Sequence, residues 1–479
     1  MRALTLVHRW LGIVCAPLFA LWFASGIVMH FVPFPALTEA ERLAGLEPIE
    51  FAGVRHGPAD AVAASELTAV SRVRLLQRSD GPVFVVSGNA GLAALHADDL
   101  TPAGVHSDSL ALGIAVDHAQ RRRLDVSAAT SAGSAAYDQW TVAGGLARHR
   151  PLYRVTLNDQ AGTEVYVSSV TGEVVRDTTR RERWWNYAGS VAHWIYPATL
   201  RARPYAWTAT VWLLSAVASL AALVGATLGM ALLVARRRLV GPTGSWHAWH
   251  HALGLVCATF VLTWIVSGWL SLDNGLLFST GALTEPEAME LAPAPDWGSP
   301  PPDRPDWTSG AREVEWFFFG GKAYRRDRID LDSQRLLALP SDSAAPPRGS
   351  FLTLAAVAAV GRRLSGTCRV AAIDVAADAY ASASAVPGAP IYRIACGELW
   401  FHVDAASGAI IDRLDQSRRA HRWLYGALHR LDFPWLTARP DLRGALVVGL
   451  CGCGLAFSIT GCVIAWRRLR HALSRQGQM

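Results

Sequence analysis

Four stretches of this chain carry no charged residue over membrane-crossing lengths: Trp10 to Leu37, Pro204 to Ala235, Ala252 to Leu272 and Gly444 to Trp466. A span needs about 20 apolar residues, and each run meets that. Two longer, more polar segments, roughly 38–183 and 273–420, lie between spans one and two and between spans three and four. Arginine placement sets the expected orientation. Arg2 and Arg9 flank the first span, Arg236, Arg237 and Arg238 follow the second, and Arg467, Arg468 and Arg470 follow the fourth. With four spans these sites share one side, which the positive-inside rule makes cytoplasmic. Both long segments then lie outside the cytoplasm; long domains translocate largely regardless of charge.

The first run could open a removable signal peptide, but it exceeds a typical signal core, and it recurs inside the chain. HRWLGIVCAPLFALWFASG (8–26) aligns without a gap on HHALGLVCATFVLTWIVSG (250–268), at an offset of 242. His8/His250, Cys15/Cys257, Trp22/Trp264 and the Ser25-Gly26/Ser267-Gly268 pairs coincide, which apolar composition alone does not produce. HWIYPATLRARP (193–204) aligns with HRLDFPWLTARP (429–440) at an offset of 236, pairing His193 with His429. The expected architecture is two parallel copies of one unit: span, extracytoplasmic domain, amphipathic approach, span. Their pseudo-twofold axis should run along the membrane normal.

Near the end of each polar segment lies a similar strand pair, YRVTLNDQAGTEVYVSSVTGEVV (153–175) and IYRIACGELWFHVDAASGAIIDRL (391–414). Alternating side chains signal half-buried strands. Asp159 to Gly162, Thr171-Gly172 and Ser407-Gly408 read as turns. Leu352 to Leu364 has helical periodicity. A helix followed by a hairpin, repeated within each segment, gives small α+β modules. Cys368 and Cys396 are the only cysteines outside the spans, and in an oxidising compartment they are expected to pair. The other five read as packing residues, including the Cys451-x-Cys453 pair. The 19 tryptophans crowd the span ends in places, as at Trp184, Trp185 and Trp194, and there read as an interfacial aromatic belt. No long basic block is interleaved with aromatics, which argues against nucleic-acid binding.

The paired histidines carry the functional reading. His8 and His250 open spans one and three at the cytoplasmic edge; His193 and His429 precede spans two and four at the opposite edge. Imidazoles related by a bundle axis can hold one haem iron from both sides. Two pairs would hold two haems, and ionisable groups inside a membrane bundle are usually functional. Gly12, Gly254, the two Ser-Gly pairs and Gly225-x-x-x-Gly229 would permit close approach of helices or a flat macrocycle. The alternates are His251 for His250, and His30 or His421 for the outer pair. His247-x-x-His250-His251 could also be a metal cluster, but it lacks nearby carboxylate or thiolate partners.

HRWLG before a span ending in Ser-Gly, WHHALG (249–254) opening a later span, His429-Arg430 after an aromatic stretch and the YVSSVTGEV strand together resemble the PepSY-associated transmembrane family. That resemblance spans essentially the whole chain and includes haem-containing bacterial ferric-siderophore reductases. It implies a four-helix transmembrane bundle, two α+β PepSY-like periplasmic domains and b-type haems, two here, on His8, His250, His193 and His429. His251 stands where the first copy has Arg9, and Trp185 stands opposite His421, so the copies are not identical.

The chain then divides into a first span with a short cytoplasmic N-terminus (1–37), a PepSY-like domain (38–180), an approach helix (181–204) and a second span (205–236). A cytoplasmic loop (237–246), third span (247–272), second PepSY-like domain (273–416), second approach helix (417–440), fourth span (441–467) and cytoplasmic tail (468–479) complete it. The implied function is electron transfer across the bacterial inner membrane to a periplasmic ferric-siderophore or other Fe(III) chelate. Reduction loosens a hard-oxygen chelate because Fe(II) is softer and carries less charge. The small cytoplasmic parts carry no Gly-x-Gly-x-x-Gly fingerprint opening a helix. The donor is therefore expected to be a quinol in the lipid bilayer or a separate cytoplasmic reductase. The competing expectation is a non-catalytic PepSY membrane protein that binds or regulates a periplasmic partner. A transporter of parallel repeats would call for spans broken at mid-membrane, which these runs do not suggest.

Overall fold

A computed structural model describes residues 2–236, 245–273, 277–291, 293, 296–298, 307–339 and 351–476. Arg237, Arg238 and most of the expected cytoplasmic loop lie outside the described residues. The chain forms two compact units, one of Met1–Phe34, Glu182–Thr280 and Arg419–Met479, the other of Pro35–Arg181 and Gly281–Arg418.

The first unit is built on four long apolar helices, Arg2–Phe31, Pro204–Arg236, Trp246–Leu270 and Pro440–Gln476. Each is long and apolar enough to cross a membrane. Even the shortest, at 25 residues, is about 37 Å long, against roughly 30 Å of hydrocarbon. Pro204 and Pro440 sit at first-turn positions, where a missing N–H leaves no bond unmade. Ser245 caps the third helix by accepting from the Ala248 N–H. Pro17 lies inside the first helix, which continues across it. The first helix packs mainly on the fourth and the second mainly on the third. Phe19, Phe23, Ala218, Cys257, Val261 and Trp264 fill the interior. Val14, Leu213, Val256 and Ile459 are exposed. Helices apolar on both faces, with the outer face uncovered by protein, match a lipid-facing bundle.

The approach segments differ from the continuous helices expected over 181–204 and 417–440. The first runs as a helix (Arg180–Asn186), a π-helical turn (Tyr187–Val191) and a short helix (Ala198–Arg201). The second runs as Gln416–His421, a π-helical turn (Arg422–Ala427), Leu428–Arg430 and Pro434–Thr437. The breaks fall where Ile195 and Leu431 adopt left-handed backbone, at φ 50° and 51°. Pro197 and Pro434 follow within three residues, and proline excludes helix from the residue before it.

The second unit is all antiparallel sheet with flanking helices. Its first polar segment supplies β1 (Arg72–Arg78), β2 (Gly81–Ser87), β3 (Leu92–His96), β4 (Thr130–Ala135), β5 (Leu152–Thr156), β6 (Glu164–Ser168) and β7 (Val174–Thr178). The second supplies β8 (Glu313–Phe319), β9 (Lys322–Arg328), β10 (Gln334–Leu339), β11 (Arg369–Ile373), β12 (Ile391–Cys396), β13 (Leu399–Asp404) and β14 (Ile410–Leu414). The expected strand pairs fall in two matching α+β modules. In β4-β5-β6-β7, the helix Asp108–Arg121 packs Ala111, Ile114 and Ala115 on Val155, Val165 and Val167. In β11-β12-β13-β14, Val357 and Val360 pack on Ile394 and Phe401. That second helix begins at Leu354 because the Thr353 hydroxyl caps it, accepting from the Ala356 N–H. Both modules bulge at a matching register point, Tyr166/Val167 and His402/Val403, and the first has a further irregularity at Ser131/Ser134.

The remaining six strands form one sheet shared by both segments, in the order β10-β9-β8-β1-β2-β3. β1 and β8 pair with Leu75 opposite Val314 and Arg74 opposite Glu315. One face is apolar, with Val73, Leu75, Phe84 and Trp316 in the core. The other buries charge. Glu313, 1 % exposed, meets Arg42, Arg74 and Arg328; Glu315, 2 % exposed, meets Arg72 and Arg326. Burial alone would raise the Glu313 pKa, but the three guanidiniums hold it well below the usual carboxylate range. Arg74 also pairs with Glu173 of the first module, and Arg326 donates to the Ala406 carbonyl of the second. The sheet therefore ties both modules into one unit. At Gly320 and Gly321 the β8–β9 turn needs positive φ twice, 59° and 77°, the two-residue hairpin conformation that glycine adopts without strain.

Cys368 and Cys396 form the expected disulfide. Replacing Cys368 by Ser should lower stability by ~2–4 kcal/mol, read as a fall in the urea midpoint of the sheet unit's unfolding. His118 is 5 % exposed. Burial, then the charges of Arg122 and Arg42, push its pKa from 6.5 to about 3. A histidine with a depressed folded pKa stabilises the fold only while neutral. Its contribution is full above pH 6.5 and is lost as pH falls toward about 3. The His118→Gln variant should flatten the slope of unfolding free energy between pH 6.5 and 4.5.

Candidate functional site: two histidine pairs in the helix bundle

His8 on the first membrane helix and His250 on the third face each other with ring centres 6.3 Å apart. His193 and His429, each just past a π-helical turn, face each other at 6.2 Å. These are the pairings expected from the two offsets. π-helical turns and left-handed β-branched residues such as Ile195 are uncommon and tend to mark functional positions. The first π-turn seats closely on helix one, since a Cβ on Gly189 would lie 3.0 Å from Val28 Cγ1. The fully buried Asn186 anchors its start by donating to the Pro33 carbonyl at 3.0 Å.

The two outer histidines are held by the same contacts. His193 Nδ1 lies 3.2 Å from the Trp22 carbonyl and 3.0 Å from Ser25 Oγ. His429 Nδ1 lies 3.1 Å from the Trp264 carbonyl and 3.3 Å from Ser267 Oγ. A carbonyl only accepts, so Nδ1 is the protonated nitrogen in both rings. Nε2 is left with a lone pair for a metal. The glycine after Ser267 makes room, since a Cβ on Gly268 would lie 2.9 Å from His429 Cε1, whereas one on Gly26 would stand at ordinary contact, 3.8 Å from His193 Cε1. The Ser-Gly pairs, singled out in the sequence for close packing, thus seat the outer rings.

The inner rings rest on glycines of the second and fourth helices. A Cβ on Gly225 would lie 2.8 Å from His8 Cε1, and one on Gly461 3.4 Å from His250 Cε1. His250 Nδ1 lies 2.9 Å from Thr460 Oγ1, and its ring stacks on Phe457 with centres 4.8 Å apart. His8 Nδ1 is buried without a partner. Both inner rings line a cavity of about 1340 Å³, with Gly12, Gly254, Arg9 and Arg468 also on its walls.

The ring separations suit a metal between them. Two metal–imidazole bonds of about 2.0 Å, with about 1.1 Å from each nitrogen to its ring centre, put the ring centres about 6.3 Å apart. The donor set, two neutral imidazoles per site with an apolar surround, fits a haem iron. The alternates are placed differently. His251 lines the cavity but does not pair with His8. His30 contacts Phe31, and a Cβ on Gly444 would meet its Nε2. His421 points Nε2 at the Leu270 carbonyl, 3.2 Å away, and packs on Phe278. Among the described residues no three or more His, Cys, Asp or Glu side chains gather as a metal cluster, His247, His250 and His251 included. Cys451 is buried and Cys453 exposed, so the Cys-x-Cys pair does not converge.

Sequence reading missed Thr460, Gly461 and the part Gly225 plays. Extending the 236 offset would have paired Gly225 with Gly461. Thr460 has no such signal, because the residue at its offset is Val224. The seating glycines are unequal in their clearance. Gly268→Ala should destabilise the detergent-solubilised protein by ~1–3 kcal/mol through overpacking against His429. Gly26→Ala should stay within about 0.5 kcal/mol, both read by thermal unfolding.

A family model for the PepSY-associated TM region matches residues 5–364, a stretch that contains His8, His193 and His250. No curated protein matches the chain.

Proposed function

Since the chain belongs to the PepSY-associated transmembrane family, we propose that it is a di-haem b electron-transfer protein of the bacterial inner membrane, reducing an Fe(III) chelate, such as a ferric siderophore, on the periplasmic side. The observation that carries this reading is the pair of facing histidine couples at 6.3 and 6.2 Å inside one bundle. A b-type haem held by each couple would supply one-electron exchange between its ferric and ferrous states.

The chain's own residues prepare those sites. Trp22 and Trp264 carbonyls fix the outer rings with Nε2 unprotonated. Gly225 and Gly268 leave the space in which the His8 and His429 rings lie. Phe23, Phe260 and Trp264, with ring centres 5.8 to 6.4 Å apart, pack the bundle core and exclude water from it. Arg9 and Arg468 on the inner cavity wall give a cationic lining suited to the anionic carboxylates of a b-type haem.

Contacts that recur at offsets of 242 and 236 support a reading as two parallel repeats. Arginines at the ends of the first and fourth helices support a cytoplasmic placement for both termini. The Cys368–Cys396 disulfide supports an oxidising, periplasmic compartment for the sheet unit. The donor is a quinol or a separate cytoplasmic reductase.

The visible spectrum of protein purified from haem-replete cells tests the proposal. A Soret band, with sharp α and β bands on dithionite reduction, is expected. His8→Ala or His250→Ala should remove one haem, and His193→Ala or His429→Ala the other. A colourless protein would favour the non-catalytic PepSY reading instead.

A further inference from the structure

The nitrogen of a ligating histidine that faces away from the metal decides how strong a ligand the other nitrogen is. A ring whose Nδ1–H donates to a good acceptor gains imidazolate character, and its Nε2 becomes more basic. More basic axial ligands favour ferric over ferrous iron and so lower the reduction potential. The four histidines are unequal by this measure. Both outer rings donate from Nδ1 to a helix carbonyl, Trp22 or Trp264. Of the inner rings, His250 Nδ1 lies 2.9 Å from Thr460 Oγ1, and its ring also meets the Phe457 backbone carbonyl, whereas His8 Nδ1 is buried with no acceptor.

The side-chain part of that difference traces to one position. Gly225 and Gly461 seat the two inner rings and lie 236 residues apart, the offset that relates His193 to His429. The residue before Gly461 is Thr460; the residue before Gly225 is Val224. Thr460 Oγ1 also donates to the Phe457 carbonyl at 2.6 Å. That bond polarises the hydroxyl and strengthens it as an acceptor for the imidazole. Val224, 9 % exposed, offers His8 no such group.

We infer that Thr460 sets the reduction potential of the inner site by acting through His250, and that Val224 leaves His8 the weaker of the two inner ligands. This rests on the reading of the histidine couples as haem ligands. Thr460 is a positioning and tuning residue: it acts on the ring and lies behind the ligand. The polar unit that orients the ring is present on one side of the inner couple and missing on the other, while the outer couple is backed on both sides.

A redox titration of the purified full chain in detergent, following the α band, tests it. The inner component is the one lost in His250→Ala. Thr460→Val, which keeps the side-chain shape, should move that component to higher potential. Thr460→Ser, which keeps the hydroxyl, should restore it to the wild-type value. Val224→Thr, which gives His8 an acceptor, should move the same component lower. The component lost in His193→Ala should stay in place in all three. Haem present with both components unmoved in Thr460→Val and Val224→Thr overturns the inference and leaves the haem reading standing. A shift confined to the outer component overturns it as well. Protein without haem overturns both together, and the Soret band distinguishes that outcome at once.

Discussion

An imidazole inside an apolar helix bundle gains by placing its ring N–H on an acceptor, because an unpaired polar group out of water costs about 1–3 kcal/mol; His193, His429 and His250 do so, and His8 does not. Much of the membrane unit follows from that gain. Helix carbonyls are already engaged in the i→i−4 ladder, so an incoming histidine needs one whose second lone pair is reachable. At Trp22 and Trp264 the small Ser-Gly pair three and four residues later exposes it. Each serine hydroxyl turns back on its own helix, Ser25 to the Leu21 and Trp22 carbonyls and Ser267 to the Trp264 carbonyl. The outer histidines arrive from segments that are not regular helix, through a π-turn and a left-handed residue. In both segments the histidine follows the π-turn and precedes the left-handed residue.

The sheet unit solves a different problem of buried polarity. Two segments about 240 residues apart in sequence are joined edge to edge through β1 and β8, and the seam is ionic on one face and apolar on the other. Buried ion pairs add little over a hydrophobic seam of equal volume. What they add is specificity: Glu313 opposite Arg328 and Glu315 opposite both Arg326 and Arg74 make sense in only one register. A slip by one residue would send every one of these charges into the Val73, Leu75 and Trp316 core. The same arginines reach the turns of both four-stranded modules, so one set of charges fixes three sheets.

The sequence by itself determined the four spans and the two strand pairs, and it put forward the pairing of His8 with His250 or His251, that of His193 with His429 with His30 and His421 as alternates, and the Cys368–Cys396 bond. Each is written in a local pattern or in a recurrence: absence of charge over a bilayer's width, a repeated His-to-Ser-Gly motif, an alternation with a turn, or the only two cysteines outside the spans. Only the tertiary structure decided the rest. The shared six-stranded sheet was not legible because pairing β1 with β8 leaves no local trace; each strand alone reads as one arm of its own hairpin. The broken approach segments were not read from Tyr187 to Val191 and Arg422 to Ala427, although each holds a glycine, Gly189 and Gly426, because a single glycine does not tell a π-turn from a continuing helix. Thr460 was not legible because an offset finds only what two aligned segments share. The asymmetry between Thr460 and Val224 is a difference between them, and it gains meaning only when a histidine from another helix is seen to lie against it.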